Sequence, residues 1–355
     1  MFKIARLALA ALALLSYAGC AGGARVREDA APPARTEPAW VSGVDQVYGR
    51  LRYIAAVGYG SSRAVAEREA FANLAGIFGQ TIQVDRQSMV GYQEALERDM
   101  VAAYIRNTEV TNAIKTSVEM DTLIGAEIRD YWYDDRGTHY AAAVMEKNRA
   151  AALYAELAKA NRDFIETLTA MDEEEKYSLP GYARYHAAAG IADGNRIIAN
   201  ILSVLGGPGL SPQDLAAGDS FRLTAEEIAR RIPIDPRVQN DRANRIKGAF
   251  AAAIGSQGLQ SGGDASLYVL EGTLSFTPVD LPGQGGKYVR YVLEAGLLDR
   301  RTGAVLLPYT ISGREGHLTV PEAENRALGV IERRIAGEWT AALEDYMDSL
   351  LSEKK

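Results

Sequence analysis

The sequence predicts an α+β fold, built as two helix-on-antiparallel-sheet domains joined by a long helical hairpin. Three observations lead there. Alternating apolar segments that read as strands fall into two blocks, each interleaved with alanine-rich segments of helical period. The turn clusters Asp134-Asp135-Arg136-Gly137 and Asp299-Arg300-Arg301-Thr302-Gly303 close strand pairs at corresponding places in the two blocks. Between the blocks, two long apolar-periodic segments flank Leu179-Pro180-Gly181, the pattern of an αα-hairpin. Each block then packs helix on sheet around its own core.

Residues 40–145 make the first domain. Arg52 to Gly58 is apolar and β-capable, and Ser61 or Ser62 can cap the helix after it. That helix carries Ala66, Ala70, Leu74, Ile77 and Phe78 on one face, and its many alanines permit close approach to a sheet. Thr81 to Asp85 alternates as a strand and Gly91 to Arg106 is amphipathic. Lys115 to Met120, Ala126 to Tyr133 and Thr138 to Met145 read as further strands. The spacer, residues 146–209, holds a helix from Glu146 to Met171, the turn at Leu179-Pro180-Gly181, and a helix from Tyr182 to Leu205. Gly206-Gly207-Pro208-Gly209 ends it.

Residues 210–355 make the second domain. Arg231 to Asp235 is a short strand and Asp241 to Gly258 an alanine-rich helix. Leu267 to Phe276, Tyr288 to Leu298 and Ala304 to Ile311 are its remaining strands. A closing helix begins near Pro321 with Thr319 as its cap, placing Ala327, Ile331, Ile335, Trp339 and Leu343 at helical spacing.

Composition narrows the function classes. The 355 residues suit about two domains. A net charge of −7 argues against a general nucleic-acid binder, so no nucleic acid is expected as a partner. One cysteine and three histidines exclude a disulfide framework and a Cys/His zinc site.

That cysteine has a context. Lys3 and Arg6, the apolar run Leu7 to Leu15, and small residues before Cys20 describe a secretory signal over residues 1–19. The run is too short for a permanent membrane span. Ala18-Gly19-Cys20 resembles a bacterial lipobox, which implies that Cys20 is acylated and becomes the mature N-terminus. Ala21, rather than Asp, then points to the outer membrane. Residues 20–39 are small, polar and proline-containing, and read as a lipidated flexible tether.

Several motifs are weaker than they look. Gly58-Tyr59-Gly60-Ser61-Ser62-Arg63 sits between a strand and a helix, with Asp85 downstream, as in a dinucleotide fold. Arg63 stands where the third glycine belongs, and a tight strand-to-helix turn accounts for the glycines, so no cofactor is expected. His139, His186 and His317 have no metal-ligand spacing. No Gly-x-Ser-x-Gly elbow occurs and no thiol remains beside Cys20. Asp134 and Asp135 read as turn formers, and Asp172 to Glu175 as a solvated helix end, leaving no catalytic residue to name. Among 18 tyrosines, Tyr131, Tyr133, Tyr140, Tyr288 and Tyr291 lie on alternating strands, where they fill sheet faces or form a partner-binding surface.

Pro38-Ala39-Trp40-Val41, then Val57-Gly58-Tyr59-Gly60-Ser61-Ser62, then the helix through Ala64, Ala66, Ala70 and Ala75 carry a family resemblance. Over Trp40 to Met145 the chain resembles the LPP-twenty lipoproteins, named for a twenty-kilodalton membrane-associated antigen. The resemblance implies an envelope lipoprotein with a compact helix-on-sheet domain and no catalytic residues; some relatives are accessory to the flagellum. Tyr268-Val-Leu-Glu-Gly272 and Leu297-Leu-Asp-Arg-Arg-Thr-Gly303 look like parts of periplasmic domains of curli-secretion and TolB-like proteins, which implies binding to other envelope proteins.

The expected protein is thus a non-enzymatic, lipid-anchored envelope module. Its partners are the membrane, through Cys20, and other envelope proteins or a second copy. The alternative expectation is a periplasmic ligand-binding or hydrolytic protein acting on peptidoglycan.

Overall fold

Two sheets, each backed by helices, organise the computed structural model, which describes residues 36–81, 112, 123–280 and 285–351. Cys20 and the leader lie outside those residues. So do the strand expected at Lys115 to Met120, the amphipathic segment Gly91 to Arg106, and all but Thr81 of the strand expected at Thr81 to Asp85.

The first sheet has the order β1-β3-β2 and is wholly antiparallel, with β1 at Tyr53–Gly60, β2 at Ala126–Tyr133 and β3 at His139–Glu146. The expected hairpin turn joins β2 to β3. Asp134 Oδ1 accepts from the backbone N–H groups of Arg136 and Thr138 at 2.9 and 2.8 Å, and Gly137 supplies a φ of +79° that a side chain would resist.

Helix α3 (Arg63–Thr81) lies on one face of this sheet. Ser62 Oγ accepts from Val65 N at 3.4 Å, a weak cap. Ala66, Ala70 and Leu74 are fully buried. Gly58 is required by that packing: a Cβ there would overlap Ala70 N and Ala66 O. The glycine of the apparent nucleotide motif is therefore where helix backbone rests on strand. The opposite face is covered by two short helical turns, α1 (Ala39–Ser42) and α2 (Val44–Val47), with Trp40 and Tyr48 over Ala55, Ala142 and Val144.

Four helical segments follow: α4 (Lys147–Thr169), the single turn α5 (Glu173–Lys176), α6 (Leu179–Leu205) and α7 (Pro212–Arg231). The expected turn Leu179-Pro180-Gly181 is instead the first turn of α6. Ser178 Oγ accepts from Gly181 N at 3.2 Å, and Pro180 stands where a helix has no use for a backbone donor. Gly206, with a φ of +70°, closes α6. At about 1.5 Å per residue its 27 residues span roughly 40 Å. Its first turns, through Leu179, Tyr182 and Ala183, sit in the second core, and Ala188 to Leu205 line the first. The hairpin expected over residues 146–209 thus takes part in both cores. α7, which has no counterpart in the sequence reading, is capped by Ser211 and tied to α6 by Arg222–Asp193 at 2.5 Å and Arg196–Asp219 at 2.7 Å.

The second sheet has the order β4-β5-β6-β7, with β4 at Ile234–Gln239, β5 at Tyr268–Val279, β6 at Lys287–Asp299 and β7 at Ala304–His317. Here the antiparallel expectation holds for two of three pairings, while β4 and β5 run parallel. A helix connection, α8 (Arg245–Ser256), returns the chain to start β5 in the direction of β4. Strand β7 runs six residues past the expected Ile311 end. Gly313 and Gly316 make room there for the rings of Tyr291 and Tyr288 on β6.

Helix α9 (Val320–Arg334) starts at Thr319, whose hydroxyl accepts from Glu322 N as expected. It continues through a π turn, Ile335–Trp339, into α10 (Thr340–Ser349). Ile331, Ile335, Trp339 and Leu343 are all fully buried. Spaced by four, they would drift about 120° around an ideal α-helix at roughly 100° per residue. The π turn absorbs one extra residue and keeps all four on the core. Trp339 packs edge-on against Phe250 at 5.2 Å, between α9–α10 and α8.

Candidate functional site

The five tyrosines of the expected partner surface do not share one. Along β2 and β3 side chains alternate between faces, and this divides the first three. Tyr131 and Tyr133 lie on the α3 face, each stacked on His139 with ring centroids 5.8 Å apart. The Tyr131 hydroxyl and His139 Nδ1 are hydrogen-bonded, and the Arg63 guanidinium sits 4.8 Å from the Tyr131 ring centre. Tyr140 projects from the opposite face. On β6, Tyr291 is only 4% exposed and belongs to the second core, which removes it from any surface. Tyr288 is half-buried, its ring over Gly316. Both fill space that facing glycines leave.

Around Tyr140 the structure assembles a group the sequence reading named only in part. Trp132 is its partner across the β2–β3 ladder, with centroids 5.3 Å apart, and Tyr59 its partner across β1–β3, at 6.4 Å. Tyr59 is 65% exposed. Three rings therefore lie side by side on one row of the sheet, at the edge of the cover formed by α1 and α2. Their sequence signal is modest: Val57, Tyr59, Trp132 and Tyr140 each alternate with residues of the α3 face. The pairing becomes visible only with the register.

A depression of about 330 Å³ lies where the α4–α6 connection meets β5, the β6–β7 turn and α10. Asp172, Glu174, Glu175 and Asp299 bring carboxylates to it, with Arg301, Tyr268 and Tyr346. The groups at its base are committed to one another. Tyr268 Oη accepts from Leu179 N at 3.1 Å and from Arg301 Nη2 at 3.0 Å. Arg301 also holds both oxygens of Asp299, at 2.9 and 3.2 Å, and its backbone N–H donates to Asp299 Oδ1 at 2.8 Å. Glu175 is paired with the buried Arg184. Burial by itself would raise the Asp299 carboxyl, but these hydrogen bonds and the Arg301 charge outweigh it and hold the group below the ordinary carboxylate value. Burial raises the Tyr268 phenol. Asp299 is thus ionised at neutral pH, the wrong state for a general acid. The site works as a joint: the first turn of α6 hangs from Tyr268, and Tyr268 is held by the β6–β7 turn.

The histidines stay apart. His139 stacks with tyrosines, His317 Nδ1 lies 2.8 Å from Glu322 Oε2, and His186 lies at the surface beside Tyr182, where partial desolvation and the Arg222 charge lower its pKa. Among the described residues no group of three or more His, Cys, Asp or Glu is placed to hold a metal ion. No helix among them is long and apolar enough to cross a membrane.

Fold and surfaces together define an α+β protein of two helix-backed sheets with an aromatic row that is half-buried at Tyr140 and Trp132 and exposed at Tyr59. No family model matches the chain, and no curated protein matches it. Among solved structures it is similar to the secreted protein HP1454 from Helicobacter pylori, at 15% identity and a TM-score of 0.42, covering 79% of this chain and 96% of that one. It is also similar to a minor lipoprotein from Acinetobacter baumannii, at 16% identity and a TM-score of 0.22, over 34% of this chain and 90% of that one. A third likeness is to lipoprotein GNA1162 from Neisseria meningitidis, at 15% identity and a TM-score of 0.20, over 29% and 96%.

Proposed function

We propose that this chain is a lipid-anchored bacterial envelope protein that works by binding another envelope protein, without chemistry of its own. Acylated Cys20 fixes it to the membrane, with the outer membrane favoured by Ala21, and residues 20–39 set its reach. The residue-level likeness of Trp40 to Met145 to LPP-twenty lipoproteins supports an envelope assembly as its setting. The observation that carries the binding role is the row Tyr59–Tyr140–Trp132. Its Tyr59 end is exposed while Tyr140 and Trp132 are half-buried, and aromatic side chains presented at a surface are the residues protein interfaces enrich and bury. At the depression Asp299 is paired with Arg301 and held ionised, which removes that carboxyl as the general acid that peptidoglycan hydrolysis would need.

The test is a photo-crosslinking residue at Tyr59 in native envelopes, with the same residue at Thr273 on the second sheet as control. The reading expects a discrete adduct from position 59 that Trp132→Ala removes. Equal labelling at the two positions would overturn it. Separately, Cys20→Ser is expected to release the protein from the membrane fraction, and a variant still sedimenting with membranes would sink the anchoring role.

A further inference from the structure

The outer face of the second sheet carries a charge arrangement that the fold does not use. Arg290 on β6 and Arg314 on β7 are paired directly across the antiparallel ladder. Both side chains leave the sheet on the face away from α8 and α9, because the alternate positions Val289, Tyr291 and Ile311 enter the core. Both arginines are exposed, and among the described residues neither has a hydrogen-bond or ion-pair partner. Like charges placed opposite each other on a ladder are unfavourable, and among the described residues no acid is paired with either. On this face the nearest acid along β6 is Glu294, four residues or about 13 Å from Arg290. Glu315 is next to Arg314 in sequence but faces the other side, opposite Val289. On β5, Arg290 meets Thr277, and the adjoining row is Ser275, Val292 and Ser312.

We propose that this face binds a phosphate group, held between the guanidinium groups of Arg290 and Arg314 with the hydroxyls of Thr277 and Ser312 beside them. Paired positions on an antiparallel ladder put Cα atoms about 4.5–5.5 Å apart. Two planar forks carried on one such pair present more donors than the two coplanar oxygens of a carboxylate, which one arginine satisfies, and suit the several oxygens of a tetrahedral oxyanion. The ligand is free phosphate or the phosphodiester of an anionic lipid headgroup; the recognising chemistry is the same. This site does not depend on Cys20 or on the aromatic row.

Calorimetric titration of the full chain tests it, with inorganic phosphate and with dihexanoyl phosphatidylglycerol as probes. Saturable binding to at least one is expected, weakened about tenfold or more by Arg290→Gln or Arg314→Gln and about threefold by the lysine variants, which keep charge but lose the fork. Tighter binding of the lipid identifies a headgroup site; binding of inorganic phosphate alone identifies a soluble ligand. Without any probe, Arg314→Gln is expected to raise Tm by relieving the repulsion, and phosphate is expected to raise Tm more in the unsubstituted chain than in Arg314→Gln. Three results would each overturn the proposal: no binding of either probe, binding unchanged by both glutamine variants, or a pentaglutamate peptide that binds more tightly than either phosphate.

Discussion

Against the sheet β1-β3-β2, helix α3 meets Gly58, Ala141 and Ala143 through Ala66 and Ala70; against β4-β5-β6-β7, the helices meet Leu274, Tyr291 and Leu293 through Phe250 and Trp339. Both interfaces are fully buried, so both gain from removing apolar surface from water. They reach close packing by different means. The first brings backbones together over small residues and has little volume to lose. The second fills a wider gap with rings and has little freedom to rearrange. A given volume change should therefore hurt the two regions with opposite sign: removal in the second, addition in the first.

The largest effect is expected at Trp339, which is fully buried in the π turn against Phe250. Trp339→Ala should cost about 3–5 kcal/mol of unfolding free energy in a urea titration. A loss below about 1 kcal/mol would mean that the second core collapses readily, and the contrast would fail. The converse substitution is Gly58→Val. Its new side chain would overlap the backbone of Ala66 and Ala70, which cannot swing aside as a flexible side chain could, so a cost near 3 kcal/mol is expected, the upper end of ordinary overpacking. If Gly58→Val were neutral, α3 would be free to lift from the sheet and the close-approach account would be wrong.

The joint at Tyr268, Asp299 and Arg301 belongs to the second region alone, and the corresponding turn Asp134 to Gly137 of the first bonds only to itself. Asp299→Asn should cost about 1.5–3 kcal/mol at neutral pH, the range for hydrogen bonds to a charged group. The folded-state pKa of Asp299 is lowered. Its contribution is therefore complete above the ordinary carboxylate value, about 3.9, and is lost as pH falls through the folded value. Stability of the unsubstituted chain should decline more steeply than that of Asp299→Asn below about pH 4. Parallel acid limbs would show that the bond carries no stability.

The same contrast separates what the sequence made legible from what it hid. Both hairpin turns, the strands beside them and the Thr319 cap were readable because each is a local event: an acid that bonds its own backbone, a glycine at positive φ, an alternation of period two. Long-range geometry was less readable. The parallel pairing of β4 with β5 depends on where α8 returns the chain, and no residue of β4 reports it. Helix α7 went unread although Ser211-Pro212 and Asp214 mark its start, because Gly218 interrupts a sparse apolar pattern; that glycine is where α7 meets Asp193 and Ala189 of α6. The tyrosines divided in the same way. Their strands were legible, but whether a ring enters the core, as Tyr291 does, or joins a surface row, as Tyr140 does, is set by the register of the neighbouring strand.

The smallest stability effect is expected where the functional effect should be greatest. Tyr59 is 65% exposed, and its contact with Tyr140 is tilted, at 41° between ring planes. An exposed cross-strand pair of this kind contributes at most a few tenths of a kcal/mol beyond its burial, so Tyr59→Ser should change unfolding free energy by about 0.5 kcal/mol or less. Thr273→Ser, a smaller change on the exposed face of the second sheet, should be at least as silent in the same titration. The two variants part company in envelopes, where a crosslinker at Trp132 should lose its protein adduct in Tyr59→Ser and keep it in Thr273→Ser. A large stability loss in Tyr59→Ser would make the aromatic row a structural clamp on the β1–β3 pairing. Near-silence in stability with loss of the adduct would make it a surface kept for a partner, because a residue that adds little to the fold has its use outside it.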